Sequence, residues 1–126
     1  MAPATTPRVR SDAAVAFVLA VLSAAVAAGW IAVARMDMTG DAYIYAEAAG
    51  NMLRGAGFLV NGLHTAFWNP GYSFTLVPLF AAFGQSPLTV AGLNIALHAL
   101  SGVLVYLLAR RLLPSQSAAI IVTLPV

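Results

Sequence analysis

Three of the four acids of this 126-residue chain, Asp37, Asp41 and Glu47, fall within or just before one stretch, TGDAYIYAEAAGNMLRG at 39–55, together with Arg54. The segment DAYIYAEAAGNMLRG has a helical pattern. A carboxylate stands at its start, where the helix dipole favours negative charge, and Gly55 stands at its end, where a C-terminal glycine belongs. Asp41, Tyr45, Ala48 and Met52 share one face at i, i+4, i+7 and i+11. Asp41 is thereby a carboxylate at the exposed tip of a short helix. It serves either as a plain N-terminal helix acid or in a functional role. Glu47 is expected to face water and to pair with Arg54 two turns on, a contact worth about 0–1 kcal/mol. Asp37 reads as a solvated loop acid. His64 reads as a solvated loop histidine, with substrate contact the alternative. Asn94 and His98 lie four apart in an apolar run, with Gly102 continuing their face. Interhelical hydrogen bonding is the expected role there, and a place on a substrate path or at a metal the sharper alternative. One histidine without a nearby acid makes a poor metal site.

The elements that hold these groups are apolar. The chain is 61% hydrophobic and only 8% charged, far from the balance of soluble domains. Its net charge of +2 comes from six arginines and no lysine, too sparse for a nucleic-acid footprint. The absence of cysteine excludes disulfides and thiolate chemistry. The Ala-rich, Lys-free composition suggests a GC-rich bacterial source.

Residues 1–12 read as a short, polar, disordered cytoplasmic lead with two prolines and two arginines. Residues 13–34 carry no charge and at 1.5 Å per residue reach about 33 Å, enough for a transmembrane helix. A cleaved signal peptide is the rival reading, although its apolar core runs to only about 7–15 residues. Ala16, Ala20, Ala24, Ala28 and Ala32 form a small-residue stripe on which another helix is expected to pack. Residues 88–109 form a second span, closed by Arg110, Arg111 and, after a turn over 110–114, by Pro114. Residues 115–126 begin a third apolar run, so the sequence reads as truncated within a larger membrane protein.

Between the spans, residues 72–83 are too short to cross and are interrupted by Pro78, which fits an interfacial or re-entrant piece. Two crossings place Arg8, Arg10, Arg110 and Arg111 on the cytoplasmic side and the 35–87 loop outside, as the positive-inside rule expects. Trp30, Trp68 and Tyr72 then fall near the outer interface. The expected fold is all-α: a polytopic integral membrane protein with juxtamembrane helices in its first outer loop.

A first span followed by GDAYIYAEAAGNMLRGAGF, then by NPGYSFTLVPLFAAFGQSPLTVAGLNIALHALSGVLVYLLARRLLP, resembles the amino-terminal part of polytopic GT-C glycosyltransferases. The nearest groups are the dolichyl-phosphate-mannose protein mannosyltransferases, their bacterial aminoarabinose-transferase relatives and the related RgtA/B/C/D-like domain. The resemblance covers residues 13–126 and rests on the order and spacing of degenerate pieces. It implies a donor sugar on a polyprenyl phosphate, an extracytoplasmic acceptor, the lipid bilayer as surroundings and a place in the bacterial inner membrane with a cytoplasmic N-terminus. Asp41 matches the catalytic acidic residue of that family and Tyr45 the tyrosine one turn later, with His64 a candidate substrate contact. No cofactor motif or glycine-rich phosphate cradle is seen, and the pattern leaves the metal requirement open. One departure stands out: relatives carry Lys or Arg just before the proline turn, whereas this chain has Trp68 before Asn69-Pro70-Gly71-Tyr72. Arg54 and His64 are the nearest substitutes in sequence for a partner to the donor phosphate. A small non-catalytic membrane scaffold or a transporter piece is the competing reading.

Overall fold

The computed structural model describes residues 7–34, 39–65 and 67–124. It is helical apart from one short hairpin, in the order α1 (Pro7–Ala34), α2 (Asp41–Leu53), β1 (Leu59–Val60), β2 (Leu63–His64), α3 (Gly71–Phe83), α4 (Pro87–Leu112) and α5 (Gln116–Thr123). Two stretches, Ser11–Val33 and Pro87–Leu112, are long and apolar enough to cross a bilayer. The chain divides into two compact units. One holds residues 1–33 and 94–126, the other residues 34–93.

In the first unit α1 starts at Pro7, so residues 7–12 are helical and not part of a disordered lead. Proline suits this first position because the N–H it lacks would have no intrahelical acceptor there. Leu19 of α1, Tyr106 and Ala109 of α4 and Ala119 of α5 form the buried cluster, flanked by Val15, Ala16, Leu113 and Ile120. The α1 contact stripe runs through Leu19 and Ser23, both buried, whereas Ala28 and Ala32 of the expected alanine stripe are exposed. The reason lies on α4. A Cβ added at Gly102 would stand 2.7 Å from Ser23 Oγ, so the small residue that permits close approach sits on the partner helix.

A polar network ties the three helices of this unit together. Arg110 Nε donates to Asp12 Oδ1 at 2.9 Å, as does the hydroxyl of the fully buried Tyr106 at 2.9 Å. Gln116 Nε2 reaches Asp12 Oδ1 and the Tyr106 hydroxyl, each at 3.1 Å. Ser115 caps α5, its Oγ accepting the N–H of Ala118 at 3.1 Å. Arg110 is therefore neutralised by a carboxylate about a hundred residues away, a pairing that charge counting along the chain does not show.

In the second unit α2 packs on α3 and on the first turn of α4. Ala46, Ala49, Leu76, Phe80 and Val90 form its core. Alanines on α2 let α3 come close, and two side chains then reach its carbonyls: Ser73 Oγ donates to Tyr45 O at 3.0 Å and Gln85 Nε2 to Ala46 O at 3.1 Å. The end of α2 closes as expected around Gly55, which has φ 78°. Its N–H bonds to Met52 O and that of Ala56 to Asn51 O, both at 3.0 Å, the paired bonds of a Schellman end.

Two local expectations change here. Helix α3 runs unbroken through Pro78, with Pro78 and Phe74 both on its exposed face, so the carbonyl that loses a donor need not be buried. To the expected all-α fold the loop after α2 adds a short antiparallel hairpin, pairing Leu59 with His64 and Val60 with Leu63. Asn61 and Gly62 at its tip have φ of 51° and 74°, the left-handed pair of a type I′ turn. The Val-Asn-Gly-Leu sequence carries that signal.

Candidate functional site

The second unit brings together the acid, the tyrosine and an aromatic loop. Asp41 is the first residue of α2, after Gly40 at φ 58° and ψ −135°. Gly40 has no side chain to cap the helix, and a left-handed φ suits glycine there. The Asp41 side chain is exposed and makes no hydrogen bond or ion pair among the described residues. Its carboxylate is therefore open to a ligand, at the end of the helix where the dipole favours negative charge.

One turn further on, Tyr45 is half-buried in a chain of rings packed edge to face. Its ring centroid lies 5.5 Å from that of Tyr72 and 6.2 Å from that of Trp68, with interplanar angles of 73° and 82°. Trp68 in turn meets Phe67 at 5.2 Å and 82°. Such geometry aims the positive ring edge at a negative ring face. The loop that supplies Phe67 and Trp68 is held by its own side chains. Phe67 N–H donates to Thr65 Oγ1 at 3.1 Å, and Gly71 N–H to Asn69 Oδ1 at 3.0 Å. Asp41 and Tyr45 thus share a helix, and Tyr45 is where the helix meets the aromatic loop.

His64 lies on β2, exposed, with its ring beside Gly57, where an added Cβ would stand 3.4 Å from Cε1. No described hydrogen bond joins His64 to Asp41 or Tyr45. Glu47 does not face water or pair with Arg54. Its Oε1 accepts the N–H of Asn61 at 3.0 Å, while Oε2 is buried without a partner among the described residues. Arg54 donates from Nη2 to Asn51 Oδ1 at 2.8 Å, because Asn51 lies one turn back and Glu47 two, about 10 Å along the axis. Asn51 Nδ2 bonds Leu59 O at 2.9 Å, so Glu47 and Asn51 together dock the hairpin on α2. Sequence reasoning passed over Asn51, Asn61, Ser73 and Gln85; only the Asn-Gly pair carried a local signal. Asp37 lies outside the described residues.

In the first unit Asn94 and His98 line a hollow of about 410 Å³ with Val26, Ala27, Trp30 and Ile31, while Gly102 on the same face packs against Ser23. Among the described residues no group of three or more His, Cys, Asp or Glu is placed to hold a metal ion. Comparison with protein-family models, with curated proteins and with solved structures finds no match for this chain.

Proposed function

We propose that the chain is the amino-terminal part of a polytopic membrane glycosyltransferase of the GT-C type, which moves a sugar from a polyprenyl phosphate to an extracytoplasmic acceptor with Asp41 as general base. In this reading α1 and α4 cross the bacterial inner membrane, the N-terminus is cytoplasmic, and α2, the hairpin and α3 lie at the outer surface. The exposure of large apolar side chains along the two long helices supports a lipid surrounding. Phe17, Val21, Trp30, Leu104 and Leu108 are all exposed, and hydrating such a side chain costs about 1.5–3 kcal/mol.

The observation that carries the reading is the exposed carboxylate of Asp41, without a partner among the described residues and one helical turn from Tyr45, which packs on the aromatic loop. Inverting transfer asks little more of the protein. The Asp41 carboxylate takes the proton of the acceptor hydroxyl as its oxygen bonds to the anomeric carbon. The bond from that carbon to the lipid phosphate oxygen breaks, and its electron pair leaves with the phosphate. Phosphate is a good leaving group, so a second carboxylate acting as acid is not required. Tyr45 and His64 serve as substrate contacts. The donor keeps its head at the membrane surface, so the base must be held there too, and α2 does this as the helix that follows the first span.

The test is Asp41→Asn in the product of the full reading frame, assayed for sugar transfer from membrane-borne polyprenyl-phosphate donors. Transfer should fall by about 10²–10⁴-fold, the usual contribution of a general base, with insertion unchanged. Undiminished transfer overturns the assignment of Asp41 as base, and absence of transfer by the unsubstituted protein leaves a non-catalytic scaffold or transporter segment.

A further inference from the structure

The two ends of α2 are held in different ways. Its C-terminal half carries the hairpin, through Glu47 and Asn51. Its first turn, which carries Asp41, has no side-chain cap, and the bond that opens the helix, from Ile44 N–H to Gly40 O, is long at 3.3 Å. Helix ends of this kind open most readily. What holds the turn comes from α3. The Tyr72 ring packs edge to face on that of Tyr45, with 5.5 Å between centroids, and next to it Ser73 Oγ donates to Tyr45 O at 3.0 Å. The Tyr45 N–H closes the turn on the Asp41 carbonyl by the helical i to i−4 bond. Tyr72 and Ser73 thus grip both the ring and the carbonyl of Tyr45, one turn from the carboxylate.

The bond made by Ser73 is not the local one. Thr75, Ser101 and Thr123 each donate to a carbonyl three or four residues back in their own helix, at 2.7, 2.9 and 2.7 Å. That is the common bond of a hydroxyl inside a helix. Ser73 donates to another helix instead. It is fully buried at 0% exposure, so no water replaces the bond when the hydroxyl is lost, whereas the Gln85 side chain that reaches the next carbonyl, Ala46 O, is exposed. A general base must stand within about 2.6–3.2 Å of the group whose proton it takes. Misplacement by about 1 Å costs on the order of 10²-fold in rate. We propose that Ser73 is a positioning residue for the transfer: its hydroxyl fixes the turn of α2 that presents Asp41 to the acceptor hydroxyl. This rests on the reading of Asp41 as the base.

In the product of the full reading frame, Ser73→Ala should lower kcat about tenfold, the cost of a shift of about half an ångström at the base. KM for the polyprenyl-phosphate donor should stay within about twofold, since the bond acts on the base and not on donor binding. Thr75→Ala removes a hydroxyl from the same helix and should leave both unchanged. Amide hydrogen exchange reads the turn without any transfer. Ser73→Ala should speed exchange over residues 44–46 by about two- to tenfold, the loss of one net hydrogen bond. Exchange in the hairpin at residues 59–64 should not change, which shows that the unit stays folded. Unchanged exchange over 44–46, an equal loss of kcat in Thr75→Ala, or a rise in KM with kcat intact would each overturn the proposal. Faster exchange with kcat intact overturns it where Asp41→Asn abolishes transfer. Where Asp41→Asn also leaves transfer intact, the base reading alone falls, and Ser73 remains the residue that orders the first turn of α2.

Discussion

Gly50 lies buried on α2 against the side chain of Gln85, and the two make a prediction whose sign depends on background. A Cβ at position 50 would stand 2.9 Å from both Cδ and Nε2 of Gln85, closer than van der Waals contact permits. In an open helix interior Gly→Ala stabilises by about 0.5–1 kcal/mol. Here the new methyl displaces Gln85 and breaks its bond to Ala46 O, a loss of about 0.5–1.5 kcal/mol, and local overpacking adds about 1–3 kcal/mol if the neighbours cannot yield. Gln85 is a flexible, exposed side chain, so the lower end of that range applies, and Gly50→Ala should destabilise the second unit by about 1 kcal/mol. In a Gln85→Ala background the obstacle and the hydrogen bond are already gone, and the same substitution should stabilise by about 0.5–1 kcal/mol. Amide hydrogen exchange of α2 in mild detergent, read for the four members of the double-mutant cycle, measures both signs. An equal change in the two backgrounds would refute the packing of Gly50 on Gln85. The consequence reaches the site, since α2 carries both Asp41 and Tyr45.

Tyr106→Phe removes a hydroxyl that both donates to Asp12 and accepts from Gln116. It should loosen α5 by about 1 kcal/mol, visible as faster amide exchange over residues 116–123 with α2 unaffected. Asn61→Val places a β-branched residue at φ 51° and should cost about 1–2 kcal/mol and release the hairpin from Glu47, whereas Asn61→Gly should be tolerated; exchange at residues 59–64 reports the difference.

Much of the helical scaffold could be read along the chain. Charge-free runs set the two long helices, Asp41 and Gly55 bracket α2, and Pro114 lies just beyond the end of α4. The hairpin was also legible in Asn61-Gly62, but its two-residue strands are too short to show an alternating pattern. The exposure of Asp41 followed from its place at a helix start. Its freedom from partners did not, because Glu47 and Arg54, equally plausible as surface charges, each found another partner, Asn61 and Asn51.

What the sequence determined by itself is period, length and termination, all set by neighbours within a turn or two: which stretches coil, where they stop and which residues begin them. The tertiary structure alone decided which side chains meet. Asp12 joins Arg110, Tyr106 and Gln116 across about a hundred residues. Gly102 meets Ser23 in close approach beside the half-buried Ala16, Ala20 and Ala24, while Ala28 and Ala32 stay exposed, and the rings of Tyr45, Trp68 and Tyr72 come together from α2, the loop and α3. A helix offers several faces of similar composition, and in a chain this rich in alanine and leucine their hydrophobicity hardly differs. The choice among them falls to shape and to hydrogen-bond partners supplied from elsewhere in the chain.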